Sequence, residues 1–484
     1  MMSCPVVGLP TELIEEIVQY LIKELDEDEF YNSDSRRNLF PCALSCSAFF
    51  RPAIRALWHT VELLPLLKLL PGFEVVDGSY VINGELDDVS LARFDLYSFM
   101  VKKLLVFETH PVHHSVYSSL AVARPLPLPS LTSVYCHAKL FSLDETMFML
   151  SPSVESVLFF SCNDQVLIDY LSALSVLQEE APMLRSLSIY GVSGKDFDIA
   201  TVSQLEDLRE LELNLYNLRI KEMQGPFYPL ELKRLGLNGA VYSVQSALMV
   251  LDVYEYSEIE TFSLTGSVLP AEAGQEIFSA IFSQWSGSMT SLELDICIMV
   301  LDEVVEPDAE DPLSDFLSPL YSLENLEVFD LRYRGDNDSF TDILISDICE
   351  AWPNLTKLKM DSHGFENAPT VTSLKVLAER CPKLKQVSIP LDITNAPAIN
   401  HDTHTNKSLP SSHTLESITF LVEGEISLQY LLANGSASLP YHLDVAFPFL
   451  KEVYIQSSIW DKVMGVIKLF QDARRTQAAV TVSA

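Results

Sequence analysis

Apolar residues recur along most of the chain at the spacing L-x-x-L-x-L, with polar residues between them. The clearest match is Leu208-Arg-Glu-Leu-Glu-Leu213. This alternation predicts a short β-strand with one buried face. The first residues of successive matches lie about 29 positions apart on average, a period typical of repeats. The other matches are Val101/Leu104/Val106, Leu131/Val134/Cys136, Val154/Val157/Phe159, Leu184/Leu187/Ile189, Leu232/Leu235/Leu237, Ile259/Phe262/Leu264, Met289/Leu292/Leu294, Leu326/Phe329/Leu331, Leu355/Leu358/Met360, Leu384/Val387/Ile389, Leu415/Ile418/Phe420 and Leu450/Val453/Ile455.

Prolines precede many of these matches at a fixed distance. Six stand two residues before the first apolar position: Pro129, Pro152, Pro182, Pro353, Pro382 and Pro448. Because Pro makes up 26 of 484 residues, about 0.7 would be expected there by chance. Proline cannot continue a helix, and it biases the preceding residue towards extended backbone. Each unit is therefore predicted to be a helix, a stop and a short strand.

Helical periodicity fills the intervals between several matches. It covers Val166–Glu180, Ala271–Trp285, Thr341–Trp352 and Thr370–Arg380. A strand, a crossover helix and a parallel strand form a right-handed connection in nearly all proteins. The chain is therefore predicted to have an α/β fold, with about 13 units over residues 101–484, strands inside and helices outside.

This arrangement resembles the leucine-rich repeat family, whose consensus the chain follows at the three strand positions. It departs from the consensus at the Asn or Cys that usually follows three residues later. Cys162 and Cys297 fill that position, whereas Val192, Tyr216, Ala240 and Arg334 do not. A regular asparagine ladder and an even curvature are therefore not expected.

The N-terminal residues predict helices of their own. Residues 9–25 read as an amphipathic helix, capped by Thr11, with its apolar residues on one broad stripe. Residues 26–37 are polar and predict a loop. A second helical pattern follows, in which Pro52 is expected to separate two helices. Residues 63–100 connect this module, residues 1–62, to the first repeat.

The same N-terminal residues resemble an F-box, the helical module that docks on a Skp-family adaptor. The motifs that carry the resemblance are Leu9-Pro10, Glu12-Leu13, Ile17, Leu44-Ser45-Cys46, Phe49-Phe50 and Leu57-Trp58-His59-Thr60-Val61. The chain departs from the family in the longer acidic connection at residues 23–37 and in Leu44, where Val is usual.

The resemblance implies a substrate-recruiting subunit of a Skp-cullin-F-box ubiquitin ligase, which binds a cullin through the adaptor and a protein target on the repeat face. The residues it assigns to adaptor binding are Leu9, Pro10, Leu13, Ile17, Leu44, Phe49 and Trp58. The alternative is a protein-binding scaffold without a link to ubiquitin, whose N-terminal helices cap the first repeat.

Charge narrows the choice of partner. The net charge of -35 and the pI near 4.5 argue against nucleic acid or an anionic membrane surface. The excess of acidic residues either keeps a long apolar repeat soluble or attracts a basic partner. The acidic segment at residues 302–315 is expected to be a solvated insertion.

The cellular compartment of the protein is predicted from its cysteine spacing and its hydropathy. The eight cysteines form no C-x-x-C pair, and Cys42 and Cys46 are expected to be buried thiols in a reducing compartment. No basic segment followed by an apolar run suggests a signal peptide, and no run of about 18 apolar residues suggests a membrane span. We expect a cytoplasmic or nuclear protein.

Catalytic motifs are not found in the sequence. His110, His113 and His114 could ligate a metal, but solvated loop histidines are favoured, as they are for His401, His404 and His413. There is no G-x-S-x-G and no phosphate-binding glycine loop. We therefore expect no enzymatic activity, no metal and no cofactor.

The candidates for target binding come from strand alternation. If the apolar positions face the core, the residues between them face the opposite, open side. There the sequence predicts a strip of mixed charge, which also includes Lys103, Asp330, Asp361, Tyr135 and Tyr190. The candidates are Glu210, Glu212, Arg234, Glu293, Asp295, Arg332, Lys357 and Lys359.

Overall fold

The chain divides into two compact units in a computed structural model. The first is Met1–Leu211 with Met223–Leu230, and the second is Glu212–Glu222 with Glu231–Ala484. The structure describes residues 9–23, 34–107, 112–137, 145, 148–160, 164–177, 184–190, 199, 202, 205, 207–215, 231–239, 244–299, 312–334, 340–362, 368–392, 415–421, 440, 443–444, 446–454 and 464–473.

The L-x-x-L-x-L positions form the core of both units. Every one of them within the described residues is buried, and the most exposed, Val453, is only 8% exposed. Ile455 lies outside the described residues. The predicted burial of these positions is therefore confirmed.

Three helices begin the first unit: α1 (Thr11–Lys23), α2 (Asp34–Ser45) and α3 (Ser47–His59). They share a core to which each helix contributes at least one residue: Val18, Leu39, Ala43 and Ala53. The Ile14 amide donates to the Pro10 carbonyl at 3.3 Å, so the cap position falls on Pro10 and not, as predicted, on Thr11.

The break between α2 and α3 differs from the prediction. It falls at Cys46, whose backbone is extended at φ -160° and ψ 164°, and α3 runs on through Pro52. Proline inside a helix removes one hydrogen bond, but its fixed φ is compatible with helical backbone. The extended residue therefore ends α2, and the proline does not end α3.

A β-hairpin lies in the segment expected only to connect the module to the repeats. After β1 (Thr60–Glu62) and a short helix (Leu63–Leu67), β2 (Phe73–Val76) pairs antiparallel with β3 (Ser79–Ile82). The turn residues Asp77 and Gly78 have φ of 51° and 84°. Asp-Gly is a preferred pair for a two-residue hairpin turn, and it is the signal that the sequence held for this element.

Parallel strands follow in the first unit. They are β4 (Lys103–Phe107), β5 (Ser133–His137), β6 (Ser156–Phe160) and β7 (Ser186–Tyr190). Each pairs with the next, and β1 pairs with β4, all in parallel. The helices of this part are Asp88–Ser98, His114–Ala123 and Asp164–Leu177. The last of these confirms the helix predicted at 166–180: it begins two residues earlier, and residues 178–180 lie outside the described residues.

Strand β8 (Glu210–Asn214) contains the division between the units, and the second unit continues the pattern. Its strands β9 to β16 pair consecutively in parallel. This strand-on-strand order is the parallel arrangement that the repeated pattern predicted. The strands are Arg234–Asn238, Thr261–Pro270, Ser291–Met299, Val328–Arg334, Lys357–Ser362, Gln386–Pro390, Ser417–Leu421 and Glu452–Tyr454.

The helices of the second unit lie between these strands. They are Val244–Val253, Ala271–Trp285, Pro312–Leu317 with a 3-10 turn at Ser318–Ser322, Asp342–Ala351, Val371–Arg380 and residues 464–473. Ala271–Trp285 has the predicted bounds. Thr341 and Thr370 cap the next two predicted helices, because their hydroxyls accept the amide hydrogens of Leu344 and Thr372.

A ladder of backbone hydrogen bonds joins each turn of the second unit to the turn before it. The amide of the residue preceding a strand donates to the carbonyl of its counterpart one turn earlier. The bonds are Glu260 to Lys233 at 2.9 Å, Thr290 to Glu260 at 2.8 Å, Glu327 to Thr290 at 2.8 Å, Thr356 to Glu327 at 2.7 Å and Lys385 to Thr356 at 2.8 Å. The stacking of the turns is therefore fixed by the main chain.

Two buried tryptophans add a side-chain bond between turns. The indole N–H of Trp285 donates to the Tyr254 carbonyl, and that of Trp352 donates to the Leu320 carbonyl, both at 3.3 Å. Each tryptophan stands at the end of a helix, just before a strand. It fills the core and satisfies a carbonyl of the preceding turn.

The acidic segment is only partly a solvated insertion. Residues 302–311 lie outside the described residues. The rest begins the helix Pro312–Leu317, in which Leu313 and Phe316 are buried. The expectation of a solvated insertion is therefore wrong for Leu313 and Ser314, which are buried, whereas Asp315 is exposed as expected.

Glycine at position 274 lets the Phe316 ring pack against the helix Ala271–Trp285. A methyl group on Gly274 would overlap that ring. We expect Gly274→Ala to lower the free energy of unfolding by about 1–2 kcal/mol, because overpacking outweighs the gain in helix propensity. Urea denaturation of the full chain measures this.

Gly465 provides the matched control, since it is also helical and no described atom lies within 4 Å of its missing Cβ. Gly465→Ala should raise the free energy of unfolding by about 0.5 kcal/mol. Equal effects of the two substitutions would contradict the packing of Phe316 on Gly274.

Candidate functional site

The residues between the buried strand positions form what we call the open face of each unit. In β7, for example, Leu187 and Ile189 are buried, whereas Ser186, Ser188 and Tyr190 are partly exposed. The alternation predicted from the sequence is present on β5 to β8. On β4, β9, β10 and β12 it is broken, because the residue between two buried positions is buried as well: Leu105, Gly236, Ser263 and Asp330. The side chains of the open face are thus positioned by strand register.

An aromatic row crosses the open face of the first unit. It consists of Phe107, His137, Phe160 and Tyr190, the last residues of β4 to β7, which are paired in register. Successive ring centroids lie 6.5, 4.7 and 5.9 Å apart, and the rings of His137 and Phe160 are stacked at 12°.

The aromatic row was only partly foreseen. Tyr190 was placed on the open face by alternation, but Phe107, His137 and Phe160 were missed. The available signal was the residue directly after the third apolar position, which is aromatic in four consecutive strands. The charge pattern of the strands does not contain this signal.

Tyr135 and Lys103 lie on the same face, as predicted from alternation. The Tyr135 ring is 5.9 Å from that of Phe107. Burial lowers the pKa of Lys103. The open face of the first unit therefore carries aromatic rings at Tyr135 and along the aromatic row.

The open face of the second unit carries rows of charge. Register aligns Glu293, Asp330 and Lys359 in one row, and Asp295, Arg332 and Asp361 in the next. Five predicted target-binding residues come together here, on strands β11 to β13: Glu293, Asp295, Arg332, Lys357 and Lys359. Glu210 lies in the first unit, whereas Glu212 and Arg234 lie on β8 and β9 of the second.

Ion pairs within these rows use part of the charge. The Lys359 ammonium lies 3.2 Å from Asp330 Oδ2, and the Arg334 guanidinium lies 3.3 Å from Asp295 Oδ2. Asp330 was predicted to be exposed on this strip, but it is buried. The reason is its central position in the row, where Glu293 and Lys359 flank it on the neighbouring strands.

The residues predicted to bind the adaptor are exposed at α1 and α2 and half-buried at α3. Leu9, Pro10, Leu13, Ile17 and Leu44 are exposed. Phe49, by contrast, packs against the core of the three-helix module. The ring centroid of Trp58 lies 4.5 Å from that of Tyr97.

Helix α1 carries two apolar stripes rather than the predicted single one. Ile14 and Val18 face the module core, at 4% and 2% exposure. Leu13, Ile17 and Tyr20 remain exposed, Leu13 at 44%. We call these exposed residues, with Leu9, the outer stripe. Leu44 on α2, 65% exposed, is a further apolar residue outside the core.

Cys42 and Cys46 are thiols that are only half-buried, so their predicted burial is wrong. Cys46 terminates α2 rather than lying on a helix face inside the core. Burial raises the pKa of the Cys42 thiol, and the neighbouring Cys46 raises it further.

Among the residues that the structure describes, no three His, Cys, Asp or Glu side chains lie close enough together to bind a metal ion. His113 caps the helix His114–Ala123, its ring nitrogen accepting the Ser115 amide. His110, His401, His404 and His413 lie outside the described residues. None of the described helices is both long and apolar enough to cross a bilayer.

Comparison with known proteins finds matches among solved structures. No protein-family model and no curated protein matches the chain. The crystal structure of the mouse RP105/MD-1 complex matches with a TM-score of 0.33 and 14% identity, over 72% of this chain and 59% of that chain. The chain thus spans less than two thirds of that neighbour's length.

Removal of the Lys359 ammonium tests whether its ion pair with Asp330 stabilises the protein. We expect Lys359→Met to lower the free energy of unfolding by about 1–2 kcal/mol, because buried Asp330 loses its partner. Lys357→Met, on the same strand and face, should change it by less than about 0.5 kcal/mol. Urea denaturation measures both, and equal losses would show that the pair contributes nothing.

Proposed function

We propose that the chain is a substrate-recruiting subunit of a Skp-cullin-F-box ubiquitin ligase. In this proposal α1 to α3 dock on a Skp-family adaptor, a cullin joins through the adaptor, and the open face holds a protein target. In the same proposal the chain needs no catalytic group or cofactor of its own for this role, and it acts in the cytoplasm or nucleus.

The outer stripe of α1 is the observation that carries the proposal. Apolar side chains at i, i+4 and i+8 form a continuous surface along a helix. Within α1, Leu13 and Ile17 follow the four-residue spacing, and Leu9 lies just before the helix begins. Ile14 and Val18 already supply the inward face. A helix that needed only to complete the module core would not require the second stripe. A hydrophobic partner surface would use it.

The aromatic row supports the target-binding part of the proposal. Aromatic side chains are enriched at the centres of protein interfaces, since they bury much area with little loss of side-chain freedom. The rings of Phe107, His137, Phe160 and Tyr190 form such a surface on one unit. Repeat folds commonly bind proteins along this strand face.

Proximity is the mechanism by which such a subunit acts. Holding the target and the adaptor on one chain raises the effective concentration of target lysines near the charged ubiquitin-conjugating enzyme. The chain then positions the target, and it does not catalyse ubiquitin transfer itself. The alternative, a scaffold whose N-terminal helices serve only as a cap, makes the opposite prediction about the adaptor.

Exchange of Leu13 and Leu44 for alanine tests adaptor docking. The full chain should bind a purified Skp-family adaptor in calorimetry, and the Leu13→Ala/Leu44→Ala double variant should bind at least about tenfold more weakly. Because both side chains are exposed, the thermal unfolding midpoint should stay unchanged.

The control is Val122→Ala with Val176→Ala, two exposed apolar residues on other helices of the first unit. This pair should leave the affinity within about twofold. An intact chain that binds no adaptor would rule out the ligase proposal in favour of the cap. Equal weakening by both pairs would rule out the outer stripe as the contact.

A further inference from the structure

A cavity of about 540 Å³ lies in the second unit, between the ends of two neighbouring helices. Its wall includes Gln284, in the last turn of the helix Ala271–Trp285, and residues that follow the helix Val244–Val253. It is separate from the open face, because its residues precede strands β10 and β11 rather than lying between their buried positions.

Two residues in the wall of this cavity each carry a side-chain oxygen that is buried without a hydrogen bond from the described residues. These oxygens are Ser257 Oγ, in a residue only 5% exposed, and Gln284 Oε1. A buried polar atom without a partner lowers stability. Both atoms can accept hydrogen bonds, so a ligand that donates several N–H groups would satisfy them.

The cavity is also negatively charged. Glu255, Glu258 and Glu260 line it, and one ammonium, Lys233, lies 3.1 Å from Glu258 and 3.2 Å from Glu260. The Lys233 ammonium donates hydrogen bonds to these two carboxylates, which raises the pKa of Lys233. One lysine leaves two of the three negative charges uncompensated. The carboxyl ends of both helices add partial negative charge.

An exposed tyrosine stands beside these carboxylates. Tyr256 lines the cavity and is 77% exposed, so its ring is accessible from solvent. The face of a tyrosine ring attracts a cation, and it stacks well on a planar one. The wall thus combines acceptors, negative charge and an aromatic face.

We propose that this cavity binds the guanidinium group of an arginine side chain presented by a protein partner. A guanidinium carries five N–H donors and no acceptor, which matches the exposed carboxylates. It also matches Ser257 Oγ and Gln284 Oε1, once rotation of these two side chains brings the oxygens to the cavity surface. It is planar, and so it can stack on Tyr256 while bonding to a carboxylate. A lysine ammonium is more strongly hydrated and cannot stack in this way, so arginine is preferred. The inference does not depend on adaptor binding by α1 to α3.

Fluorescent hexa-arginine and hexa-lysine peptides test this proposal on the full chain by anisotropy at physiological salt. Hexa-arginine should bind more tightly, and Glu258→Gln with Glu260→Gln should weaken it about tenfold through loss of charge-assisted hydrogen bonds. The control is Glu272→Gln with Glu276→Gln, which removes the same charge from the helix Ala271–Trp285 outside the cavity. It should weaken binding by less than about twofold.

Two further variants separate the cavity from general attraction to an acidic chain. Tyr256→Ala changes no charge, and it should weaken hexa-arginine more than hexa-lysine. Lys233→Met should raise the affinity for hexa-arginine, because it removes the cation that competes for Glu258 and Glu260. All substituted residues but Lys233 are exposed, and circular dichroism verifies that each variant is folded.

Three results would overturn the proposal. Equal weakening by the two glutamate pairs would show that attraction is diffuse. Hexa-lysine that binds as tightly as hexa-arginine, with no effect of Tyr256→Ala, would exclude guanidinium recognition. Absence of binding by either peptide would exclude a cation site altogether.

Discussion

Main-chain hydrogen bonds between successive turns are the interaction on which the rest of the structure depends. In the first unit the Thr132 amide donates to the Lys102 carbonyl and the Glu155 amide donates to the Thr132 carbonyl, both at 2.8 Å. The second unit repeats this ladder from Lys233 onwards. Because the bonds set strand register, equivalent side chains lie next to each other on neighbouring strands. The aromatic row and the charged rows are both results of that register.

Local patterns in the sequence were enough to predict the buried strand positions and most helices. The helix caps Thr341 and Thr370 illustrate this, because each cap depends only on one hydroxyl and on amides two or three residues later in the chain. Features that depend on residues about 30 positions apart were missed. The stacking of His137 on Phe160 and the burial of Asp330 beside Lys359 exist only after strands pair. The cavity near Ser257 likewise requires two helix ends to meet.

Helix α1 shows a limit of a different kind. Its sequence is rich in apolar residues, but Leu13 and Ile14 differ by only about 100° around the helix axis. A single broad stripe and two stripes with separate roles therefore give the same pattern. Only the packing of α2 and α3 decides that Ile14 and Val18 point inward while Leu13 and Ile17 point outward.

The first strand of the sheet has a consequence for how the protein behaves in a crowded solution. An exposed edge of unpaired backbone groups is a template for other chains, and proteins that keep such an edge short resist aggregation. Strand β1 has three residues and is followed at once by the helix Leu63–Leu67. At this end of the first unit, few unpaired amide and carbonyl groups are therefore available to a strand of another molecule. This disfavours end-to-end polymerisation through strand pairing.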